Sequence, residues 1–296
     1  MELNERPDDW SDLWWPAPAK LNLLLKITGQ RAGGYHQLQT VFQLLTICDW
    51  LNFTPNNDGS INLLDDNSGV PKQENLIVHA ATLLKESSGI EAGVDIRLKK
   101  NLPIGAGLGG GSSDAATTLV VLNQLWGYDY SVEKLAALGL SLGADVPVFV
   151  HGNSAWAEGV GEQITPLGLN ESWFLVVNTG CPISTKEVFG HKRLTRNSSA
   201  ITIRDFLDGQ VENDCLPVVR EISKEFDEFF QLFSDFSQVY LTGTGSSMFA
   251  KCASREAAVK LSDELPSGWN KWVVKGIDKS PLQRALNQFV ANTNRV

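Results

Sequence analysis

The sequence predicts an α+β fold. Stretches of period-two hydrophobicity and stretches of helical periodicity occur in both halves of the chain, without the regular strand–helix–strand alternation of a doubly wound sheet. A hydrophobic fraction of 43% with 20% charged residues is that of a globular chain with a substantial core. Between a strand pattern and a helix pattern, five glycines fall within seven positions: Gly105, Gly107, Gly109, Gly110 and Gly111. That run is the stretch the rest of the chain is organised around.

The first ten to fifteen residues carry acids and tryptophans and read as a loosely held arm, with no basic stretch leading into an apolar run and so no signal-peptide pattern. From Ala17, the residues Leu21, Leu23, Leu25 and Ile27 alternate with Lys20, Asn22, Leu24 and Lys26. Period two makes this a strand with one apolar face and one mostly polar face, and puts Lys20 and Asn22 on the same side. The turn at 29–34 ends in Tyr35 and His36. Further strands are expected at 38–45, 50–54 and 61–64, separated by Asn, Asp, Gly and Pro clusters.

A helix is expected at 75–85 and a strand at 94–98, running into the glycine loop. Helices at 113–126 and 131–142 follow, the second with Ser131 as its N-cap. The residues Gly143-Ala144-Asp145-Val146-Pro147 break it, and 148–150 and 155–157 read as short strands. Composition turns to loop at 166–170, which sets a boundary between a domain at 1–165 and one at 166–296. In the second part, strands are expected at 174–177, 239–241 and 272–274, and helices at 216–230, 255–265 and 282–291. A shorter glycine turn, Thr242-Gly243-Thr244-Gly245-Ser246-Ser247, lies among them.

The chain of 296 residues has a net charge of −9. That speaks against a general nucleic-acid or anionic-membrane surface, though a small phosphorylated ligand needs only local donors. No stretch approaches the roughly 18 apolar residues of a membrane span. Cys48, Cys181, Cys215 and Cys252 are scattered without a Cys-x-x-Cys pair, so neither a disulfide scaffold nor a zinc site is expected. Buried free thiols in a reducing cytoplasm are.

Glycine alone tolerates positive φ without steric cost and lets a ligand approach the backbone. A loop whose amides converge on a helix N-terminus suits an anion, so the expected ligand is a phosphate. Ser112 and Ser113, placed at the N-cap, can cap the helix, donate to phosphate or ligate magnesium. Asp114, directly after them, is expected to face magnesium or solvent. Gly105, Gly107 and Gly110 match a dinucleotide fingerprint, but the acid about twenty residues further on at a strand end is missing. No Gly-Lys-Ser/Thr and no Gly-x-Ser-x-Gly occurs, which excludes a P-loop and a nucleophile elbow. On residue type alone, Asp145 is a turn residue or a base, and Lys20 a solvated strand lysine or the partner of a carboxylate.

The segment Pro103-Ile104-Gly105-Ala106-Gly107-Leu108-Gly109-Gly110-Gly111-Ser112-Ser113-Asp114-Ala115-Ala116 closely resembles the phosphate-binding motif of the GHMP kinases, named for galacto-, homoserine, mevalonate and phosphomevalonate kinase. Four further segments resemble one branch of that family. They are Pro16-Ala17-Pro18-Ala19-Lys20-Leu21-Asn22-Leu23, Gly33-Gly34-Tyr35-His36, Gly143-Ala144-Asp145-Val146-Pro147-Val148-Phe149 and Leu241-Thr242-Gly243-Thr244-Gly245-Ser246.

The resemblance implies a two-domain architecture, a ribosomal-protein-like α+β N-terminal domain that binds ATP and a ferredoxin-like α+β C-terminal domain on the substrate side. It implies phosphoryl transfer from ATP, with magnesium as its companion, to the C2 hydroxyl of a cytidine diphosphate conjugate of methylerythritol, a step of isoprenoid synthesis. Lys20 and Asp145 would be catalytic, and 103–113 with Asn75 would bind ATP. Asn22, Tyr35, His36, Thr185 and Phe189 would bind the conjugate, Tyr35 and Phe189 sandwiching the base. The metal ligands stay unassigned. Neither nucleic acid, membrane nor an obligate protein partner is expected, and the setting is cytoplasmic. The competing readings are a GHMP kinase for homoserine, mevalonate or a sugar, and a non-catalytic nucleotide- or RNA-binding module.

Overall fold

The computed structural model describes residues 13–31 and 34–293. Most of the expected N-terminal arm, and Gly33 of the turn motif, lie outside the described residues. The strands are β1 (Trp14–Gln30), β2 (His36–Asn56), β3 (Ile61–Asp66), β4 (Gly93–Lys99), β5 (Ala155–Gly159), β6 (Gln163–Pro166), β7 (Trp173–Asn178), β8 (Tyr240–Leu241), β9 (Ser247–Cys252) and β10 (Asn270–Ile277). The helices are α1 (Leu76–Ser88), α2 (Gly110–Leu125), α3 (Val132–Leu140), α4 (Val146–His151), α5 (Thr185–Gly190), α6 (Ile203–Leu207), α7 (Leu216–Ile222), α8 (Lys224–Ser234), α9 (Arg255–Glu264) and α10 (Pro281–Thr293).

The strands form one sheet in the order β3-β4-β2-β10-β7-β9-β8, with β1 and β5 also on β2, and β6 on β5. Only β3 and β4 run parallel among these strand pairs. The fold is α+β, as predicted. β2 is its hub: it pairs with β1 along most of its length, with β4 and β5, and through Leu44 and Leu45 with β10. β10 in turn pairs with β7, so a strand late in the chain joins the two halves into one sheet.

One hydrophobic cluster fills the space between the first-half strands and the helices α1 to α4, and Leu282 of α10 belongs to it. Trp15 meets Phe289 edge-on at 5.5 Å, which seats the last helix against the first strand. A second cluster, with Phe226, Phe233, Leu241 and Met248, lies in the second half. A smaller one, with Leu21, Leu45, Leu108, Phe174 and Phe249, lies between them. The cysteines are free, Cys48, Cys181 and Cys215 buried and Cys252 half-buried.

The structure corrects several expectations. β1 does not keep period two: bulges between Pro18 and Lys20, Asn22 and Leu24, and Ile27 and Gly29 shift its register. Leu24 is consequently fully buried, and Lys20 and Asn22 are buried rather than on a wet face. The strands expected at 38–45 and 50–54 are one strand, because the carboxylate of Asp49 is satisfied inside the protein and marks no turn.

Residues 148–150 are helical, in α4. A short run buried on every side carries no period by which to tell a strand from a helix turn. The helix expected at 216–230 is two, α7 and α8, divided at Ser223, whose side chain caps the second. α2 begins at Gly110, so Ser112 and Ser113 lie inside its first turn and Gly109 is the N-cap. β6, β9, α5 and α6 are additional, short elements.

Candidate active site

Two glycines of the loop are dictated by contact as well as by φ. Gly107 has φ 76°, and a Cβ there would lie 2.5 Å from the carbonyl oxygen of Thr242. Gly109 has φ 74°, and its Cβ would meet the Phe149 ring at 2.9 Å and Lys20 Cε at 3.0 Å. The loop is therefore pressed between the second glycine turn, α4 and β1. It is tied there by Lys20 N to Leu108 O (2.9 Å) and Ser247 N to Ala106 O (3.1 Å). Its root is held by Asp49 Oδ1, which accepts from the backbone N–H of Asn101 (2.7 Å) and Leu102 (2.8 Å). The loop thus delivers the unpaired amides of the α2 N-terminus to an open cleft of about 520 Å³.

Pro103, Ile104, Gly105, Ala106, Gly107, Gly109, Gly110, Gly111 and Ser112 line this cleft, together with Lys20, Asn22, Asn75, Asp145, Thr185 and Phe189. Leu108 and Ser113 do not line it. The Leu108 side chain belongs to the core, and the Ser113 hydroxyl is buried with no hydrogen-bond partner among the described residues. Asn75 serves as cap as well as cleft wall: its Oδ1 accepts from Ile77 N (3.0 Å) and its Nδ2 donates to Asp66 (3.0 Å).

At the floor, Lys20 Nζ lies 3.1 Å from Asp145 Oδ2. It also donates to Asn22 Oδ1 (2.6 Å) and to the Gly107 carbonyl (3.0 Å). Lys20 is 2% exposed, while the Asp145 side chain is 33% exposed and opens onto the cleft. The ammonium is thus locked and the carboxylate accessible. Asn22 is itself fixed, donating to Thr40 Oγ1 (2.8 Å), and the backbone N–H of Asn22 donates to Thr242 Oγ1 (2.9 Å). Thr40 and Thr242 carry no sequence signal for this supporting role; only the pairing of distant strands creates it.

Beneath the loop, Lys100 Nζ donates to Asp49 Oδ2 and to Asp114 Oδ2, each at 2.6 Å, with both carboxylates buried. Asp114 is therefore not open to solvent, one of the two outcomes the sequence left; its carboxylate meets a buried cation. Burial, only partly offset by Lys100, together with the Asp49 charge pushes the Asp114 carboxyl up to about 8. Burial works against the Lys100 ammonium, but the two carboxylates outweigh it and its pKa is raised. Asp49 and Lys100 escaped the sequence reading, since neither stands in a motif spacing and both act only through tertiary contact.

At the cleft's far end, Phe189 packs against His36 with ring centroids 5.0 Å apart and a 32° tilt. Thr185 Oγ1 and Thr244 Oγ1 are 2.8 Å apart. Tyr35 is 70% exposed, its ring free on the protein surface beside His36. Arg196, unsuspected from the sequence, donates to His36 Nε2 (3.1 Å) and to the Phe189 carbonyl (2.8 Å). Burial, then the Arg196 charge, lowers the His36 pKa below its ordinary value.

Residues 75–153 match the family model described as the GHMP kinases N terminal domain. Among similar proteins, a 4-diphosphocytidyl-2-C-methyl-D-erythritol kinase of Nitrosococcus oceani is 49% identical over 276 residues, 93% of this chain and 99% of the relative. One of Methylococcus capsulatus is 50% identical over 274 residues, covering 92% and 94%. A crystal structure of a 4-(cytidine 5'-diphospho)-2C-methyl-D-erythritol kinase superposes with a TM-score of 0.78 at 31% identity, over 89% of this chain and 98% of that one. The mevalonate kinase of Methanococcus jannaschii (TM-score 0.68, 15% identity, covering 91% and 100%) shares the fold. A glycine loop on a helix N-terminus, facing a locked lysine and an accessible aspartate, is thus found in a chain nearly half identical to these enzymes, and the chain belongs to the 4-diphosphocytidyl-2-C-methyl-D-erythritol kinase family of GHMP kinases.

Proposed function

We propose that the chain is a small-molecule kinase that moves the γ-phosphoryl group of ATP to the C2 hydroxyl of 4-diphosphocytidyl-2-C-methyl-D-erythritol, giving the 2-phosphate and ADP. The observation that carries this reading is the Lys20–Asp145 pair, 3.1 Å apart in a cleft whose wall is the glycine loop. Phosphoryl transfer asks a protein for positioning and charge stabilisation more than for covalent work. The loop amides and the positive end of α2 hold the ATP phosphates. Lys20 stabilises charge on the phosphoryl oxygens in transfer and holds the Asp145 carboxylate in place at 3.1 Å. Asp145 orients the substrate hydroxyl and accepts its proton late, when the loose transition state has made that proton acidic.

Asn22 keeps one Nδ2–H for the substrate after its bond to Thr40, since an amide nitrogen has two donors. Tyr35 and Phe189 sandwich the cytosine, His36 meets its polar edge, and Thr185 reaches the same pocket. Asn75 lies on the adenine side. Among the described residues no group of three His, Cys, Asp or Glu side chains is placed to hold a metal. Magnesium, as the companion of ATP, would supply charge neutralisation during transfer, and Ser112, a hydroxyl of the glycine run that lines the cleft, is an oxygen that could help hold it. We place the domain division near residue 166, between β6 and β7, and the enzyme in the cytoplasm, for which the four free thiols are the support. An ADP-release assay offering the cytidyl conjugate, mevalonate and homoserine tests the assignment. Turnover of the conjugate alone is expected; turnover of mevalonate without the conjugate contradicts it.

A further inference from the structure

Arg196 stands outside every motif of the sequence, yet four of its donors run to His36 and to the backbone around Phe189. Its Nε donates to His36 Nε2 at 3.1 Å, its Nη1 to the Leu194 carbonyl at 3.1 Å, and its Nη2 to the carbonyls of Phe189 (2.8 Å) and His191 (3.0 Å). Among the described residues no carboxylate pairs with it. A half-buried guanidinium held by neutral acceptors alone gives up hydration without the return of an ion pair, so its place calls for a role beyond packing.

The chemistry of the contact supplies one. A guanidinium has donors only. The nitrogen that accepts from it must carry the lone pair, so the His36 ring is neutral with its proton on Nδ1. A protonated His36 would set donor against donor, and the lowered pKa of His36 agrees with this. With Nε2 engaged, the only polar function left on the ring is the Nδ1–H donor, and no partner for it is found among the described residues. The same guanidinium grips the Phe189 backbone, whose ring packs on His36.

We propose that Arg196 is the positioning residue that sets the base preference of the substrate pocket, by fixing His36 as a donor-only ring that accepts a pyrimidine whose ring nitrogen is an acceptor and refuses one whose ring nitrogen bears a hydrogen. This rests on the reading of the Tyr35–His36–Phe189 end of the cleft as the base site. Cytosine offers a bare N3 and uracil an N3–H. A uridyl conjugate would leave two donors facing each other once the base covers the ring, and unpaired polar groups at a covered contact are what a binding site rejects most strongly.

Two measurements on the full-length enzyme test this. The ring ¹⁵N shifts of His36 without substrate, near pH 7.5, are expected to show Nδ1 protonated and Nε2 bare, and to move to a mixture or to the other tautomer in Arg196→Met. Steady-state kinetics with cytidyl and uridyl conjugates are expected to give a cytidyl preference of at least ~100-fold in the wild type. In Arg196→Met and Arg196→Lys that preference falls to within roughly tenfold of unity, with the loss in KM for the conjugate rather than in kcat or KM for ATP. A wild-type His36 found protonated or carrying its hydrogen on Nε2 overturns the proposal, as does a base preference that survives both substitutions. Should the wild type turn over neither conjugate, the base-site reading fails instead, and the ¹⁵N result still decides what Arg196 does to His36.

Discussion

The ammonium of Lys20, on β1, sits 3.1 Å from the carboxylate of Asp145, at the N-cap of α4, and Lys20 is braced by a loop that belongs to neither element. The bond from Lys20 Nζ to the Gly107 carbonyl makes one side chain report to the acid and to the phosphate loop together. Lys20→Met keeps most of the stem and removes the charge. The expected result is a kcat lower by ~10²–10³, the scale of losing one preorganised electrostatic contact. Circular dichroism checks that the fold survives, since Asp145 is a third exposed and can be rehydrated.

Gly105 and Gly107 both have positive φ, at 65° and 76°, but differ in surroundings. A Cβ at Gly105 meets nothing within 4 Å, whereas one at Gly107 meets the Thr242 carbonyl at 2.5 Å. Gly105→Ala should cost about 1 kcal/mol, the backbone term alone. Gly107→Ala should cost distinctly more and raise KM for ATP, because the loop must part from the second glycine turn. Denaturant titration of the two variants side by side makes the comparison.

The carboxyl of Asp114, pushed up to about 8 from an ordinary 3.8, links stability to pH. In the window between those values the native chain holds a proton that the unfolded chain has lost. Its contribution to stability is then full below about 4, declines as pH rises, and is gone above about 8. Asp114→Asn cannot titrate. The stability of the wild type relative to this variant should fall between pH 5 and 8, by at most about 1.4 kcal/mol per unit, and level off above. Unfolding curves across that range provide the check.

Phe189, with its ring against His36, is the natural stacking wall for a base. Phe189→Ala should raise KM for the cytidyl conjugate by roughly 5- to 150-fold, corresponding to the 1–3 kcal/mol of one stacked base, and leave KM for ATP nearly unchanged. Kinetics with each substrate varied in turn separate the two effects.

Much of this site could be read before any fold was known. The glycine loop announced an anion because so many glycines in one place have no cheaper explanation, and the absent Gly-Lys-Ser/Thr removed the commonest alternative. Lys20, Asn22 and Asp145 were named from motifs, and the structure brings all three to one cleft. Their supports were not legible. Asp49 looks like a turn former, yet it lies in mid-strand because two loop amides and Lys100 satisfy it. Thr40 and Thr242 work through partners distant in sequence, and Arg196 reaches His36 across 160 positions. Residues 148–150 look like a strand because a run buried on all sides shows no period, and β1 loses its alternation to bulges that leave no mark in composition.

The central claim is that Asp145 serves the attacking hydroxyl during transfer and not the binding of ATP. Asp145→Asn tests it most directly, with ATP affinity measured by calorimetry and ADP release measured on the cytidyl conjugate. The account predicts ATP affinity within about threefold of the wild type and turnover lower by ~10²–10⁴, as for a lost general base. Turnover near that of the wild type would contradict it.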